Sequence, residues 1–505
     1  MIADAHPCSF QRWPCCIVLL VCMIATARLA NAQSFVPDWV KDAVFYQIFP
    51  ERFANGDTTN DPAGILPWGA TPTSRSYFGG DLRGIIDHLD YIAGLGCNAL
   101  YLNPIFESNS NHKYHATDYL KIDPHFGDEE TFRTLVDECH ARGVRIILDG
   151  VWNHTGVQFF AFDDIRKHGA DSRYVKWYNI YSFPVGPPSK PNYECWWGYG
   201  DLPKLMTGNP EVRDYLFDVT RHWMSFGIDG WRLDVPNEIP HPFWVEWRHL
   251  VKEINPDAYI VGEIWDDATP WLQGDQFDGV MNYRFRNACV DFFARGTMSV
   301  QAFDDSLARV RDEYPDDVPY AVQNLLGSHD TERFLTLCNG NTDRLQLAWL
   351  MQMTSVGAPM VYYGDEVGMT GGKDPLCRGT MVWDRRKQNT LLLTTMKNLI
   401  ALRNRYAVLR RGTSATLHAD AATGTYAFVR RLEDTSAVVI LNNSGKTRRF
   451  GFDLASEEKG MKWDQVWVTP RSRGKGQRGA PLTFPTRMSL PAYSGIVFIG
   501  GRGQQ

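Results

Sequence analysis

The chain lacks the features that mark several functional classes. It contains no basic block of the kind that follows a nucleic-acid backbone, and its net charge is −6, so no nucleic-acid partner is expected. It also contains neither of the glycine-rich patterns, GxxxxGK(S/T) and GxGxxG, that cradle phosphates, which argues against phosphoryl transfer. Charged residues make up 22% and apolar residues 44% of the 505 residues, as in an ordinary globular protein with more than one domain.

Cysteine is sparse beyond the first 32 residues. The six that remain are widely spaced, and no two stand at the short spacing that is typical of metal sites. Several pairings are open to them in an oxidising compartment, so no disulfide is predicted. The six are Cys97, Cys139, Cys195, Cys289, Cys338 and Cys377.

Long apolar runs are also lacking, with one exception near the N-terminus. Residues 17–27 form an apolar run after Arg12, and residues 30–32 (Ala-Asn-Ala) fit a small-x-small cleavage site. We therefore predict a signal peptide over residues 1–32, cleaved after Ala32, and a secreted or periplasmic protein. The run is short for a bilayer span, so no integral membrane segment is expected in the mature chain. A disordered start or a single membrane anchor is the alternative.

From residue 43 onward, short apolar segments typical of strands alternate with segments whose apolar residues recur at helical spacing. Eight such strands predict an α/β fold, a (β/α)8 TIM barrel over residues 33–411. An insertion domain is expected at residues 155–208, after the third strand, where Pro, Gly, Tyr and Trp interrupt the alternation. Short strands with turn signals then predict a small C-terminal β-sandwich domain over residues 412–505. The strand segments are 43–50, 97–104, 144–154, 228–235, 258–265, 277–285, 322–330 and 358–366.

Polar side chains end four of these predicted strands. In such barrels, active sites lie at the C-terminal ends of the strands. Because unpaired carboxylates rarely cluster without a cation, a metal or a reaction to serve, we predict an active site at this rim. The residues are Asp149 and His154 on the third strand, Arg232 and Asp234 on the fourth, Glu263 on the fifth, and His329 and Asp330 on the seventh.

The acids of this rim suit two different roles. Arg232 and Asp234 are two residues apart and share a strand face, so the cation is expected to lower the pKa of Asp234 and keep it ionised. Glu263 lies in the apolar run IVGEIW, where desolvation is expected to raise its pKa. One ionised and one protonated carboxyl suit glycoside cleavage, whereas a metal site of His and carboxylate ligands is the alternative.

Aromatic residues make up 13% of the chain and include 17 Trp. Core packing accounts for many such residues in any globular protein. Four of them fall near the predicted rim, where they suit stacking against sugar rings. They are Tyr114, Trp152, Trp231 and Trp265.

The stretches at the strand ends resemble the sequence regions of the alpha-amylase family of glycoside hydrolases, and they occur in the family's order. These stretches are DGVWNH, GWRLDVPNE, GEIW and LLGSHDTERF. Secondary motifs of the family are matched by LYLNPIF, LPKL and GAPMVYYGDEVGM. Finer features are similar to the branch of neopullulanases, cyclomaltodextrinases and maltogenic amylases, namely FPERFANGDTTNDP, NHKYHATDY, LPKL and MTGGKDPLCRGTMVWD. The resemblance runs from near residue 39 to the end of the chain.

The resemblance implies a retaining hydrolase that cleaves α-1,4-glucosidic bonds in malto-oligosaccharides, cyclodextrins, starch or pullulan through a covalent glycosyl-enzyme. It implies that Asp234 is the nucleophile, that Glu263 is the acid and then the base, and that Asp330 binds sugar hydroxyls and stabilises the transition state. The substrate-binding residues that it implies are Tyr114, Asp149, His154, Arg232, Glu238, Trp265 and His329.

The resemblance also implies a structural calcium site. The loop ANGDTTNDP is rich in short oxygen-bearing side chains, of the kind that hard cations prefer, but its spacing by itself favours an ordinary surface turn. Similar loops in this branch bind calcium together with a GGD segment. The implied ligands are Asn55, Asp57, Asn60, Asp61, Gly79 and Asp81.

Three features depart from the branch. The barrel begins almost directly after the predicted signal peptide, without the branch's N-terminal β-domain, so a monomer or weak oligomer is expected. His115 stands where many relatives have Asp, which weakens an exo-glucosidase interpretation. Pro236 follows Val235 where the branch has Ala, which bears on transglycosylation and on α-1,6 links.

Three alternative functions remain open at this point. A general extracellular endo-acting alpha-amylase and a glucanotransferase share all of these acids and differ only in their sugar subsites. A non-catalytic binding ectodomain, as in some amino-acid transporter subunits, tends to lose the acids and to carry a transmembrane helix. This chain keeps all three acids, so the sequence favours an enzyme.

Overall fold

The computed structural model describes residues 34–315, 317–469, 484–485 and 487–502. All the elements below lie in one compact unit that begins at Val36. The predicted signal peptide and its cleavage site lie outside the described residues. The six cysteines beyond it are all described, and all are free thiols.

Eight parallel strands form one sheet, and the predicted (β/α)8 barrel is confirmed. The strands are nearly continuous apolar runs because both of their faces are covered, as in other parallel sheets. They are β1 Phe45–Ile48, β2 Ala99–Leu102, β3 Arg145–Gly150, β4 Gly230–Leu233, β5 Tyr259–Gly262, β6 Gly279–Val280, β7 Gln323–Leu325 and β8 Ala358–Tyr362.

The strand order closes the sheet into a ring. Neighbouring strands follow the order β6-β5-β4-β3-β2-β1-β8-β7. An isolated parallel bridge between Met281 and Gln323 joins β6 to β7 at the two ends of that order. All the C-terminal strand ends therefore meet at one rim.

Helices cover the outside of the ring, and local sequence sets their ends. The Asp128 carboxylate caps the helix Glu129–Ala141 by accepting from the Thr131 amide, and Gly96, at φ 93°, ends the helix Leu89–Leu95. The α-helices are Pro50–Phe53, Leu82–Asp87, Leu89–Leu95, Glu129–Ala141, Phe160–His168, Pro210–Met224, His241–Ile254, Tyr283–Cys289, Val300–Glu313, Val318–Ala321, Phe334–Leu337, Thr342–Thr354, Thr390–Arg405 and Ala407–Arg411, with a π-helix at Val290–Arg295. None of the helices among the described residues has both the length and the apolar character of a membrane span.

Two predicted strands are much shorter than expected, and the segment 322–330 forms only the three residues of β7. The segment 277–285 forms only the two-residue strand β6, because a helix starts at Tyr283. The Asn282 side chain accepts from the Phe285 amide and caps that helix. Two further strands that the sequence did not predict, Phe106–Ser108 and Ala116–Ile122, form a hairpin after β2.

The segment between β3 and the helix Pro210–Met224 is mostly loop. Phe162, on its one α-helix, packs against Tyr178 and Tyr193 with ring centroids 4.9 and 4.8 Å apart. Isolated antiparallel bridges pair residues within the segment, and one of them joins Lys204 to His154, just beyond the end of β3. This segment therefore forms one wall above the rim.

The chain after the last barrel helix is all-β. An antiparallel sheet has the order β9-β10-β11-β15-β13, and β12 pairs with β14 beside it. Its core includes Val429, Ile440, Trp463 and Phe498. The strands are β9 Thr413–Asp420, β10 Thr425–Leu432, β11 Thr435–Asn442, β12 Arg448–Gly451, β13 Lys462–Thr469, β14 Arg487–Leu490 and β15 Ser494–Gly501.

Candidate active site

Three carboxylates share one buried guanidinium at the rim. Arg232, at the end of β4, places Nη1 2.7 Å from Asp149 Oδ1 and 2.9 Å from Asp234 Oδ1. Its Nη2 lies 2.8 Å from Glu263 Oε2. The parallel register aligns Asp149 with Arg232 across β3 and β4, so the contact follows from the strand pairing. The four residues that the sequence placed on three strands are thus in direct contact.

The pKa of Asp234 departs from expectation. Burial raises it well above its usual range, the Arg232 guanidinium opposes this rise, and the nearby Glu263 and Asp149 add to it. The prediction that Arg232 holds this pKa below normal is therefore wrong in its net direction. One cation stands beside three carboxylates, so its charge does not outweigh their desolvation.

Glu263 behaves as its apolar surroundings predict. Burial raises its pKa to about 7, the Arg232 charge opposes the rise, and the Asp330 charge adds to it. Its Oε2 accepts the Val235 amide at 3.2 Å, and its Oε1 accepts the Trp265 indole N–H at 3.3 Å. A carboxyl with a pKa near neutrality is suited to give and take a proton.

Val235 carries backbone strain directly after Asp234. Its φ of 36° and ψ of 50° are in the left-handed region, which a β-branched residue rarely adopts. Pro236 then begins a short 3-10 helix, Pro236–Glu238. The strained turn directs the Val235 N–H at Glu263, so the residue just before Pro236, the departure from the branch, helps to orient the acid.

Asp330 is the most accessible of the acids, with its side chain 30% exposed. Desolvation works against its ionisation, but the positive charges around it hold its pKa below the usual value. Arg378 Nη2 lies 3.0 Å from Asp330 Oδ1, and Arg378 Nε donates to the His329 carbonyl at 2.8 Å. Arg378 received no role from the sequence, although it lies in the branch-like stretch that contains DPLCRG. It was missed because it follows no strand end.

Two histidines and a tyrosine line the cavity beside the acids. Gln47 Nε2 donates to His329 Nδ1 at 2.9 Å, which places the ring proton on Nε2, 2.7 Å from the Tyr114 hydroxyl. The Tyr114 ring is parallel to the His329 ring, and its hydroxyl donates to Asp149 at 2.8 Å. Burial lowers the pKa of both His154 and His329 to about 3, so both rings are neutral at physiological pH.

The predicted aromatic residues divide into two groups. Trp152 and Trp231 are fully buried and pack against each other, so the expectation that they stack on sugar is wrong. Successive side chains of a strand point to opposite faces of the sheet. These two rings lie on the face that the surrounding elements cover, so no sugar can reach them. Trp265 is partly exposed and lies flat on Tyr283 at 3.7 Å, so it presents a ring face to the cleft.

Glu238, at the end of the short 3-10 helix after β4, contacts the wall that the insertion forms. Lys204 Nζ is 3.0 Å from Glu238 Oε2 and 3.3 Å from Glu194 Oε1. Tyr101, at the end of β2, donates to Asp149 at 2.7 Å and is a second residue that the sequence left without a role. Its position near the end of the predicted strand 97–104 is the signal in the sequence that could have identified it.

The side chains of the predicted calcium site form two separate groups. Asn55 Nδ2 donates to Asp61 Oδ1 at 2.7 Å, and Gly79 packs so closely on both that a Cβ there would lie 2.1 Å from Asp61 Oδ1. Asp81 instead accepts the amides of Gly56, Asp57 and Gly84, and caps the helix Leu82–Asp87. The side chain of Asp57 closes its own turn onto Thr59.

Two oxygens of this loop suit a hard cation. The side-chain oxygens of Asn55 and Asn60 are buried and find no hydrogen-bond partner among the residues that the structure describes. Within the same described ranges, no group of three or more His, Cys, Asp or Glu side chains is arranged to hold a metal. A metal here would depend on amide and backbone oxygens with a single carboxylate, Asp61, a donor set compatible with calcium.

Comparisons with known proteins agree with this geometry. Residues 47–399 match the family model for the alpha amylase catalytic domain. Neopullulanase 2 of Thermoactinomyces vulgaris is 51% identical over 92% of this chain and 79% of its own length. A cyclomaltodextrinase of Geobacillus thermopakistaniensis is 49% identical over 92% of this chain and 77% of its own.

Solved structures show the same fold. The ligand-free cyclic alpha-maltosyl-(1→6)-maltose hydrolase of Arthrobacter globiformis superposes with a TM-score of 0.84 and 45% identity, over 92% of this chain and 100% of that one. The debranching enzyme of Nostoc punctiforme superposes with a TM-score of 0.81 and 38% identity, over 92% of this chain and 99% of that one. The chain therefore belongs to the alpha-amylase family and is a glycoside hydrolase.

Proposed function

We propose that the protein is a retaining hydrolase of α-1,4-glucosidic bonds in α-glucans. The observation that carries this proposal is the fork of Arg232, which holds Asp234 and Glu263 on its two terminal nitrogens. Two carboxyls that share one guanidinium are close neighbours, as direct attack by one of them requires. An inverting pair must instead stand far enough apart to admit a water molecule.

The charges of the site assign the two roles. One guanidinium does not neutralise three carboxylates, so the cluster retains a proton near neutral pH. Asp234 Oδ1 accepts a hydrogen bond from Arg232, which opposes the rise that burial gives its pKa and favours its ionised, nucleophilic form. Glu263, with a pKa of about 7, carries the proton and gives it to the leaving oxygen. After Asp234 bonds to the sugar, Glu263 takes a proton from the attacking water.

The remaining residues position the sugar and stabilise developing positive charge. The ionised Asp330 faces the cavity, where its charge stabilises an oxocarbenium-like transition state. Neutral His154, whose Nε2 has no hydrogen-bond partner among the described residues, is suited to bind a sugar hydroxyl rather than to exchange a proton, and neutral His329 holds the Tyr114 hydroxyl through its Nε2. The Tyr114 ring offers a flat surface beside them.

The substrate class that we propose is malto-oligosaccharides and cyclic α-glucans, with β-cyclodextrin as the first probe. The relatives named neopullulanase, cyclomaltodextrinase and cyclic alpha-maltosyl-(1→6)-maltose hydrolase support this choice. A general endo-amylase and a glucanotransferase would use the same acid cluster. Only an analysis of the products distinguishes these two activities from the hydrolase that we propose. We further propose that Asn55, Asn60, Asp61 and the Gly79 segment hold a structural calcium ion.

The experiment follows the anomeric protons of the first products of β-cyclodextrin by NMR. A retaining enzyme releases the α-anomer first, and the β-anomer then grows in by mutarotation. Parallel digests of soluble starch and pullulan rank the substrates. We also propose that the protein is secreted or periplasmic and is cleaved after Ala32. The protein is therefore prepared from periplasm and medium, where the mature chain should begin at Gln33.

The outcomes are distinct. First release of the β-anomer would rule out Asp234 as a nucleophile, and starch cleavage faster than β-cyclodextrin opening would favour the endo-amylase. Transfer products in place of glucose and maltose would favour the glucanotransferase. Asp234→Asn is expected to lower kcat by about 10⁴-fold or more, with an unchanged Tm as evidence that the variant is folded.

A further inference from the structure

Three aromatic side chains form an exposed patch on the insertion, and the mechanism above does not use them. Trp196, Trp197 and Tyr199 lie at the tip of a turn, and we call them the aromatic shelf. The Trp196 ring is nearly parallel to the rings of Trp197 and Tyr199, at interplanar angles of 14° and 24°. Trp197 is 77% and Tyr199 is 59% exposed. Large aromatic rings that are grouped together in contact with water often mark a binding surface.

The backbone holds this shelf in a strained conformation. Trp197 has φ 47° and ψ 27°, in the left-handed region that bulky residues avoid. Gly200 packs so closely on the Pro188 carbonyl that a Cβ would lie 2.1 Å from its oxygen, and Tyr193 donates to the Gly200 carbonyl at 2.7 Å. Strain that is maintained under an exposed ring is typical of binding surfaces.

The base of the shelf is continuous with the catalytic cavity. Cys195 pairs with Pro203, and Lys204 pairs with His154 at the end of β3. The Trp196 ring lies 5.8 Å from the His154 ring, between the cavity and the exposed rings. Lys204 also reaches Glu238, so the shelf lies on the side of the cleft that carries Glu238.

Two buried polar atoms lie on the neighbouring rings of Trp196 and His154. The Trp196 indole N–H and His154 Nε2 are buried, and neither has a hydrogen-bond partner within the described part of the chain. Buried polar groups are normally paired, so such atoms beside a cleft indicate where a ligand hydroxyl is held. A sugar ring offers both the hydroxyls for these atoms and the apolar face for an indole.

We propose that the aromatic shelf is an additional sugar subsite, which binds a glucosyl unit of the α-glucan beyond the cleavage site on the Glu238 side. The inference rests on the proposed function and makes it more specific. Its substrate is a chain long enough to extend from the acids, past Trp196, onto Trp197 and Tyr199. A short substrate occupies the acid cluster without reaching the shelf.

The test compares substrates of two lengths on Trp197→Ala and on Tyr199→Ala. We expect KM for maltoheptaose to rise about tenfold through lost ring stacking, with little change in kcat. The kinetics of a short substrate, 4-nitrophenyl α-maltoside, should remain close to those of the wild type. Trp197→Phe keeps a flat ring and should restore most of the affinity for maltoheptaose.

Tyr181→Ala is the matched control, since Tyr181 lies in the same insertion and is 64% exposed. It should leave both substrates unaffected. The proposal is overturned if the shelf variants affect both substrates equally, if neither is affected, or if Tyr181→Ala acts in the same way. A loss of self-association in the shelf variants, seen by analytical ultracentrifugation, would instead make the shelf a contact between copies. Failure of the wild type to cleave any α-glucan would refute the proposed function rather than the shelf.

Discussion

Arg232 determines the charge state of the site at the scale of single residues. Its guanidinium is fully enclosed and contacts Asp149, Asp234 and Glu263. A cation in that position makes it possible to bury three acids together, since an unpaired buried carboxylate is costly. The same sharing leaves too little positive charge for all three to be ionised, so acid–base chemistry near pH 7 follows from the packing.

The first prediction concerns the pH dependence of this acid. Burial raises the pKa of Glu263 to about 7, and the general acid must be protonated to act. As pH rises through this value the proton is lost, so kcat/KM for maltotriose should fall about tenfold per pH unit above about pH 7. Rates measured between pH 5 and 9 give this alkaline limb directly.

A substrate with a better leaving group supplies the control. Fluoride departs without a proton, so kcat/KM for α-maltosyl fluoride should not show the alkaline fall that maltotriose shows. If both substrates lose activity with the same pH dependence, the titrating group is not a general acid, and the role of Glu263 is wrong.

At the scale of elements, the sequence located the rim well because chemistry and topology coincide there. Asp149, Arg232 and Glu263 each end an apolar run, and a parallel barrel brings such ends together whatever the helices do. The contacts of Arg232 with Asp149 and with Glu263 were therefore predictable. The two-residue strand β6 was not, because the Asn282 cap that starts the next helix outweighs the strand-like pattern of its neighbours.

Features that depend on long-range loop geometry stayed beyond sequence reasoning. Arg378 meets Asp330 from a loop 48 residues later in the chain, and no local pattern marks that distance. The number of aromatic residues in the sequence also did not distinguish Trp152, which is buried inside the barrel wall, from Trp197, which is exposed on the insertion. Burial, which decides between core and binding surface, is set by the packing of whole elements.

The calcium proposal makes a prediction at the scale of one loop. If Asn55, Asn60 and Asp61 hold the ion, calcium added to chelator-treated protein stabilises the fold by about 2.7 kcal/mol at a hundredfold excess over Kd. The Tm should then rise by about 2–3 °C for a chain of this size, by differential scanning calorimetry. Asp61→Ala should abolish the rise, because it removes the one carboxylate of the set.

Asp87→Ala tests whether the effect is specific. Asp87 is an exposed acid on the adjacent helix, paired with Arg83 at 2.8 Å, and its removal should leave the calcium-induced rise intact. The proposed site would be contradicted if Asp61→Ala kept the full rise, or if both variants lost it.

At the scale of the whole molecule, two buried arginines bind backbone carbonyls near the boundary between the barrel and the C-terminal sheet, and Arg430 crosses that boundary. Arg403, on the last long barrel helix, donates to the carbonyls of Met353, Ser355, Gly357 and Leu409. Arg430, on β10, donates to the carbonyls of Thr354, Leu409, Gly412 and Thr413. Both therefore satisfy carbonyls that the end of the helix Thr342–Thr354 leaves without intrahelical partners.

The last prediction removes one of these arginines. Arg430→Met keeps a long side chain but leaves several buried carbonyls without donors, at a cost of about 3 kcal/mol or more. Because Arg430 spans the boundary, the loss should appear in calorimetry as an earlier, separate transition of the C-terminal sheet. Arg386→Met, at a side chain that is 90% exposed, should leave the profile unchanged. A single transition within about 1 °C of the wild type would mean that apolar packing, rather than these hydrogen bonds, couples the sheet to the barrel.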